Sequence, residues 1–219
     1  YRVQGWQVQQ GSSSGGVRTM GVSGDIRIEN FQSPPQATSS VSMILNLDSG
    51  SDDEANDPSN PFFSMLGFWD GTADEPLSDT RYAYQNTIRV YDENGTAHNV
   101  TVYFDPVKDP AVASSAGGNQ VWEFIVCCNP SVDGRVIGGQ SVGSTSAAGL
   151  LMTGTLIFNA AGQITGMSAY TLKSTATGDL KDLENWTLAD VNDAGLPTFT
   201  ANFSRQNNAS ATDQDGAST

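Results

Sequence analysis

His98 is the only histidine among the 219 residues of the chain, so any imidazole chemistry depends on it. A Ser-His-Asp triad needs an imidazole base that is held by a carboxylate and activates a nucleophile. His98 lies beside a predicted turn, and nothing near it marks such a nucleophile. The count also excludes a zinc site built from two or three histidines. The sequence therefore predicts a protein that is not an enzyme.

Asp48-Ser49-Gly50 matches the Asp-Ser/Thr-Gly motif of aspartic proteases after an apolar run. Those enzymes need two carboxylates that share a proton, and the chain has no second Asp-Ser-Gly or Asp-Thr-Gly. We therefore expect a strand that ends in an Asp-Ser-Gly turn.

Two acidic segments offer oxygen atoms of the kind that calcium binds. They are residues 190–195 and the run Asp48, Asp52, Asp53, Glu54 and Asp57. Neither has the spacing and central glycine of an EF-hand loop. We expect solvated loops and predict no metal site and no cofactor, while weak calcium binding stays open.

Cys127 and Cys128 are adjacent, so they form no disulfide framework. They follow a strand-like apolar run, residues 121–126, which would point the two thiols to opposite faces. Burial of at least one thiol is the expected arrangement. A vicinal disulfide and a reactive dithiol remain alternatives.

The chain is strongly acidic, with 24 Asp and Glu against 10 Lys and Arg and a net charge of −14. Such a chain repels phosphate backbones and anionic lipids, so we predict no nucleic-acid and no membrane partner. No apolar stretch approaches the ~18 residues of a membrane span. Because the chain begins at Tyr1 inside a predicted strand, we expect it to be a piece of a longer protein.

Two hairpins are the clearest local patterns. The first joins β-rich residues 87–91 and 99–104 through Asp92-Glu93-Asn94-Gly95, and Asn-Gly accepts the positive φ angles of a tight turn. The second joins residues 154–158 and 163–166 through a turn that ends at Gly162.

Further strands are predicted at residues 1–10, 24–29, 40–47 and 198–203, with at most a helical turn or two at 179–189. Short strands separated by turns predict an all-β fold. We expect an antiparallel β-sandwich or barrel-like domain with long loops and little helix.

Residues 61–69 form an apolar cluster that is too large to leave in water without a purpose. A sugar-stacking surface, a subunit contact and a hydrophobic core are the alternatives, and core is expected for most of Phe62, Phe63, Met65, Leu66, Phe68 and Trp69.

Five segments resemble bacterial flagellar hook proteins and occur in the order of that family. Residues 90–104 are similar to its "YDSxGNxHxLTVYF" segment, and residues 154–164 to "L-x-F-D-x-x-G-x-L". The other three are residues 1–6 (YRVQGW), 121–124 (VWEF) and 214–216 (QDG).

The resemblance implies structural roles for the motif residues rather than catalytic ones. These motif residues are Tyr91, Asp92, Asn94, Gly95, His98, Val102, Tyr103, Phe104, Trp122, Leu156, Phe158 and Gly162.

The resemblance also implies a domain organisation. Residues 1–35 with 206–219 would form a stalk or edge strands that lead to inner domains not included here. Residues 36–205 would form an outer β domain, which insertions 48–84 and 129–152 could split in two. Pro34-Pro35 suits a hinge between these parts.

By resemblance, we expect an extracellular structural subunit of the flagellar hook. Its partners would be other copies of the same subunit in a helical tube, whose outer domains make sliding contacts in a torque-transmitting universal joint. We expect the isolated fragment to be monomeric. The alternative is a secreted β-sandwich module, carbohydrate-binding or adhesive, that uses the aromatic segment near Trp69.

Overall fold

The computed structural model of the chain describes residues 3–9, 18–25, 35–41 and 43–188. Contacts divide the chain into two compact units, Tyr1–Pro35 and Gln36–Thr219. The predicted strand at 198–203, the acidic segment 190–195 and most of the predicted strand at 24–29 lie outside the described residues.

In the first unit, two strands pair antiparallel: β1 (Gln4–Gln9) and β2 (Arg18–Asp25). The pairing shifts register between Gly5 and Gln7. The strand predicted at the start of the chain is therefore confirmed over Gln4–Gln9.

Within its described residues, the second unit contains a six-stranded antiparallel sheet, two short helices and a small two-stranded ribbon. In chain order the elements are α1 (Ser64–Phe68), β3 (Tyr84–Tyr91), β4 (Ala97–Val107), α2 (Pro110–Ser115), β5 (Gln120–Cys128), β6 (Val136–Ile137), β7 (Gln140–Ser141), β8 (Leu150–Phe158), β9 (Ile164–Leu172) and β10 (Trp186–Leu188). The sheet order is β10-β9-β8-β5-β4-β3, and β6 pairs with β7.

The predicted all-β class is confirmed, and both predicted hairpins are present as β3–β4 and β8–β9. The two helices were not predicted. α2 begins with Pro110 after Asp109, whose carboxylate accepts hydrogen bonds from the N–H groups of Ala111 and Val112. In the described ranges, no helix is long and apolar enough to cross a membrane.

The two faces of the sheet are covered differently, because alternate side chains of each strand point to opposite sides. We call one side the closed face: it carries Val121, Ile125, Ile157 and Tyr170, and it packs against α1, α2 and residues from both segments 48–84 and 129–152. Within the described residues, its covering layer consists of short helices and loops.

We call the opposite side the open face. It carries Val102, Phe104, Trp122, Phe124, Leu156 and Ala169. Met43 and Leu47 pack against these residues from a segment that crosses the face.

The strand predicted at residues 40–47 is wrong, since residues 35–41 and 43–48 form no strand. Thr38 ties this segment to the end of β3 through bonds with the backbone of Tyr91. Four apolar side chains alternate along this segment. Met43 and Leu47 pack against the open face, whereas Val41 and Leu45 are exposed.

Candidate functional site

The turn of the first hairpin is organised by the carboxylate of Asp92. Its Oδ1 atom accepts hydrogen bonds from the N–H groups of Asn94 and Thr96, both at 2.8 Å. The N–H of Gly95 donates to the carbonyl of Asp92, and Gly95 has a φ of 79°, a region that glycine adopts without a Cβ clash. The turn itself therefore accounts for Asp92 and Gly95, while Asn94 contributes its backbone N–H.

His98 completes this turn from the first residues of β4. Its Nε2 atom lies 3.1 Å from Oδ2 of Asp92, so both carboxylate oxygens of Asp92 are occupied. The bond with His98, followed by the backbone bond from Thr96, lowers the pKa of Asp92. The imidazole therefore links the start of β4 to the turn residue Asp92.

The turn of the second hairpin repeats this arrangement with an amide in place of the carboxylate. Oδ1 of Asn159 accepts from the N–H groups of Ala161 and Gln163, at 3.0 and 2.9 Å. Gly162, with a φ of 75°, occupies the position of Gly95. This turn forms without a charged side chain. The contact between His98 and Asp92 is therefore additional to the hydrogen bonds that both turns share.

The apolar motif residues converge on the open face. Val102, Phe104, Trp122 and Leu156 are buried there, with Phe158 packed against them. The ring of Trp122 lies 5.9 Å from that of Tyr84 on the edge strand β3.

Two motif tyrosines lie elsewhere. Tyr103 points to the closed face, where its ring centre is 4.6 Å from that of Tyr82, and burial raises its pKa to about 12. Tyr91 is exposed at the end of β3.

A groove of about 1350 Å³ runs between the open face and the segment that crosses it. Trp122, Phe124 and Leu156 are among the sheet residues that line it, and Met43 is among those of the crossing segment. The second turn, from Asn159 to Gly162, also contributes to its lining.

A buried polar row, which was not predicted from the sequence, crosses the closed face. Asp105, Glu123, Thr155 and Ser168 lie directly opposite one another on β4, β5, β8 and β9. All four are at most 1% exposed. Thr155 and Ser168 bond to each other through their hydroxyls at 2.7 Å.

The two carboxylates of this row hold the covering layer through its backbone. Oδ2 of Asp105 accepts from the N–H groups of Glu54 and Ala55, at 3.0 and 2.9 Å. The carboxylate of Glu123 accepts from the N–H of Met65, 3.1 Å from Oε2, near the start of α1. Loop 54–55 and helix α1 are therefore attached to the sheet at two neighbouring positions.

Burial changes the acidity of both groups. It raises the pKa of Asp105 to about 7, against the opposing effect of the two backbone donors. It also raises the pKa of Glu123 well above the ordinary range, and the neighbouring charge of Asp105 adds to that effect. Two like charges in a low-dielectric interior repel strongly, so the neutral form of one group is favoured.

A signal for this row exists in the sequence: Asp105 and Glu123 each interrupt an apolar, strand-like run. Alternation places Glu123 on the same face as Val121 and Ile125, both of them core residues. This pattern predicts a carboxylate that points into the core. The backbone groups that donate to it are distant in sequence and are brought close only by the tertiary fold.

A second group of polar contacts, centred on Asp133, holds residues 129–152 in place. The side chain of Asp133 is 2% exposed, and its Oδ2 accepts from Nη2 of Arg135 at 2.6 Å and from the N–H of Gly149 at 2.8 Å. Burial opposes ionisation, yet these bonds lower the pKa of Asp133. Arg135 also donates to the carbonyl of Leu150, which ties the segment to β8.

The acidic run near residue 50 acts in turns and loop contacts. Oδ1 of Asp48 accepts from the N–H of Gly50, as predicted for an Asp-Ser-Gly turn, although no strand precedes it. Oδ2 of Asp53 accepts from the N–H of Lys108. In the part of the chain that the structure describes, no cluster of three or more His, Cys, Asp or Glu could hold a metal ion.

The aromatic segment forms core, as expected for most of its members. Trp69 is 2% exposed, and its indole N–H donates to the carbonyl of Ala148 at 2.9 Å. It cannot stack on a sugar from that position, which removes the basis of a carbohydrate site at Trp69. Phe68, at the edge of the segment, is partly exposed under the guanidinium of Arg81.

Both cysteines are free thiols in the structure. Cys127 is buried on the closed face, which confirms the expected burial of one thiol, and Cys128 is partly exposed. Burial raises the pKa of Cys127 to about 12, so its reactive thiolate form is suppressed.

Comparison with known protein families gives a match over most of the chain. A family model described as the D2 domain of the flagellar basal body protein FlaE matches residues 46–217. No curated protein and no solved structure gives a significant match to the chain. The matched region includes both hairpins, the buried polar row and the sheet residues that line the groove. The chain therefore belongs to the FlaE D2 domain family, whose members are structural subunits of the flagellar hook.

Proposed function

We propose that this D2 domain lies on the outer surface of the hook, outside the cell, and makes contacts with neighbouring subunits that slide or re-form as the hook turns. The family match over residues 46–217 carries the proposal. In a curved rotating tube, subunits on the inside of the bend crowd together while those on the outside separate. Outer domains in such a tube need contacts that release easily.

The charge of the chain supports contacts of this kind. With a net charge of −14, neighbouring copies repel one another, which limits permanent adhesion. Exposed acidic side chains include Asp74, Glu75 and Glu93, which lie in loops and turns. Polar interfaces retain water and are weaker than apolar ones of equal area.

Residues 1–35, together with 206–219, act in this proposal as the stalk towards the inner part of the subunit. The division of the chain into Tyr1–Pro35 and Gln36–Thr219 supports the boundary at the proline pair. Residues 36–205 then form the outer domain.

Immunogold electron microscopy of the source cells, with an antibody raised against this chain, tests the location. We expect gold only on the short curved segment between the cell surface and the filament. Gold spread over the envelope, or found only in the medium, would contradict the hook assignment. A glycan array is the corresponding test of a secreted carbohydrate-binding module, and we expect no binding.

The sliding contacts can be tested by removing surface charge. The triple variant Asp74→Asn, Glu75→Gln, Glu93→Gln reduces repulsion between copies, so we expect cells that carry it to swim more slowly. The matched control Asp74→Glu, Glu75→Asp, Glu93→Asp keeps the charge and should swim like the parent. Equal swimming speeds for both variants would show that repulsion at these positions plays no part.

The isolated chain should be monomeric, because its proposed role in assembly depends on contacts made within the tube. Sedimentation equilibrium at micromolar concentration measures this directly. A stable oligomer would count against weak outer contacts.

A further inference from the structure

Asn94 and Gly95 lie together in the exposed turn of the first hairpin, and they are the only Asn-Gly pair in the chain. The backbone N–H of Asn94 donates to Oδ1 of Asp92. Among the contacts of the described residues, none involves the side-chain amide of Asn94. Asparagine is a thermally labile residue, and solvent reaches this amide freely.

The backbone nitrogen of Gly95 is the nucleophile closest in the chain to this amide. Its attack on Cγ of Asn94 forms an N–Cγ bond and closes a succinimide ring, while the Cγ–Nδ2 bond breaks. The proton of the Gly95 N–H leaves with Nδ2 as ammonia. Water then opens the ring at either carbonyl, which gives an aspartyl or an isoaspartyl residue. The net reaction exchanges ammonia for water and leaves a carboxylate in place of a neutral amide.

Glycine is the residue that permits this attack most readily. Gly95 has no Cβ atom to hinder the approach of its nitrogen, and glycine changes its backbone angles at little cost. Asn99 is also exposed, but it lies within strand β4 and is followed by β-branched Val100. Asn99 therefore serves as an internal reference in the same hairpin.

The folded turn restrains the reaction. The N–H of Gly95 donates to the carbonyl of Asp92 at 3.0 Å, so its nitrogen must leave this bond before it attacks. The carboxylate of Asp92 holds the N–H groups of Asn94 and Thr96, and His98 holds the same carboxylate at 3.1 Å. The reaction therefore proceeds from a locally opened turn, and the contact with His98 opposes that opening.

The second hairpin turn lacks this chemistry. It has the same backbone bonds, but Ala161 occupies the position that corresponds to Asn94. The turn geometry thus forms without a labile amide, which makes the Asn-Gly pair a separate property of the first turn.

We propose that Asn94 is a site of spontaneous deamidation and that the contact between Asp92 and His98 slows the reaction by holding the turn closed. The modification adds a negative charge to an exposed turn of a chain whose net charge is −14. The inference does not depend on the hook role, because it concerns the chemistry of one turn within a single chain.

Incubation of the full chain in neutral buffer, followed by peptide mass spectrometry, is the test. We expect Asn94 to be converted to both aspartyl and isoaspartyl products, while Asn99 reacts far more slowly. A rate at Asn94 no higher than that at Asn99, or products without isoaspartate, would overturn the proposal.

The control by the turn is tested with His98→Ala, which should raise the rate at Asn94 several-fold. The matched control Thr87→Ala also removes an exposed side-chain bond from this hairpin, the 2.9 Å contact with Thr101. It leaves the turn contacts in place and should keep the parent rate. An unchanged or slower rate in His98→Ala, or an equal acceleration in Thr87→Ala, would overturn the proposal.

The same three proteins in concentrated urea separate the effect of the turn from that of the neighbouring sequence. Unfolding removes the turn, so we expect the rates at Asn94 to be higher than in the folded parent and equal among the three. A rate in urea that still differs between the parent and His98→Ala would show that the imidazole acts without the turn, which would overturn the proposal.

Discussion

The closed and open faces belong to the same six strands but are stabilised differently. On the closed face, the carboxylates of Asp105 and Glu123 accept hydrogen bonds from the backbone of the covering layer, and aromatic side chains fill the space between. On the open face, the crossing segment touches the sheet through apolar side chains such as Met43 and Leu47 and leaves a groove. Directional bonds fix one arrangement, whereas apolar contact alone permits adjustment.

This difference indicates where the domain keeps its rigidity. Buried polar bonds stabilise a single packing and are costly to break, because an unpaired group remains in the interior. An apolar face with free volume tolerates change more easily, since neighbouring side chains can move into the space. We therefore expect substitutions on the closed face to cost more than matched substitutions on the open face.

The largest effect is expected from a pair of tryptophan substitutions. Trp69→Ala should lower the free energy of unfolding by about 3–5 kcal/mol. It leaves a cavity and removes the indole N–H that donates to the carbonyl of Ala148. Trp122→Ala, equally buried at 2% but next to the groove, should cost about 2–3 kcal/mol, because its surroundings can collapse. Urea unfolding followed by circular dichroism measures both.

Equal losses for the two variants would show that free volume beside Trp122 does not help the open face to adjust. A larger loss for Trp122→Ala would reverse the comparison between the faces.

The second prediction concerns the buried carboxylate pair and pH. Both pKa values are raised in the folded protein, that of Asp105 from 3.8 to about 7. The folded state then binds more protons than the unfolded chain between these values. Their contribution to stability is fully present below the ordinary carboxyl pKa and is lost as the pH rises towards about 7. Thermal unfolding over a pH series should show this decline.

Glu123→Gln should remove much of the decline. The amide oxygen can still accept from the N–H of Met65, while one of two neighbouring charges is absent. We expect a gain of about 2 kcal/mol at about pH 8 and little change at about pH 4, where the parent carboxyl is protonated. Glu93→Gln, which changes an exposed side chain in the first hairpin turn, is the control and should leave the profile unaltered. A decline as steep in Glu123→Gln as in the parent would exclude the pair as its cause.

The two faces also differ in how far the sequence predicted them. The hairpins and their glycines were predicted because a tight turn is decided by about five adjacent residues. The open-face motif residues Val102, Phe104 and Trp122 were named by resemblance, and alternation accounts for their common side. The partners of Asp105 were not predicted, because Glu54 and Ala55 approach it only through the tertiary fold.

The wrong strand at residues 40–47 has the same cause. Its alternation of apolar residues is real, but a strand also needs backbone partners, which a period of two does not reveal. Similarly, the apolar run at 61–69 was expected to form core, while its five-residue helix α1 is too short to show a helical period.

A smaller loss of stability is expected from substitutions in the two hairpin turns. Because the two turns have the same backbone geometry, their losses can be compared directly. Gly95→Ala and Gly162→Ala each place a Cβ atom on a residue with positive φ, 79° and 75°. Each should cost about 1–2 kcal/mol of unfolding free energy, because the left-handed region is unfavourable for alanine. A cost near zero at Gly162, where an added Cβ meets open space, would mean that the turn changes its type freely.

The smallest effect is expected for His98→Ala, which makes the first turn resemble the second. Asp92 keeps its two backbone donors, just as Asn159 does, and loses only a partly exposed contact with the imidazole. Because the folded pKa of Asp92 is lowered, its contribution is present above the ordinary carboxyl pKa and is lost as the pH falls through the folded value. The stability difference between the parent and His98→Ala should therefore shrink on acidification. A difference that is large and independent of pH would mean that the imidazole packs against the hairpin, so that the two turns differ in more than a charge.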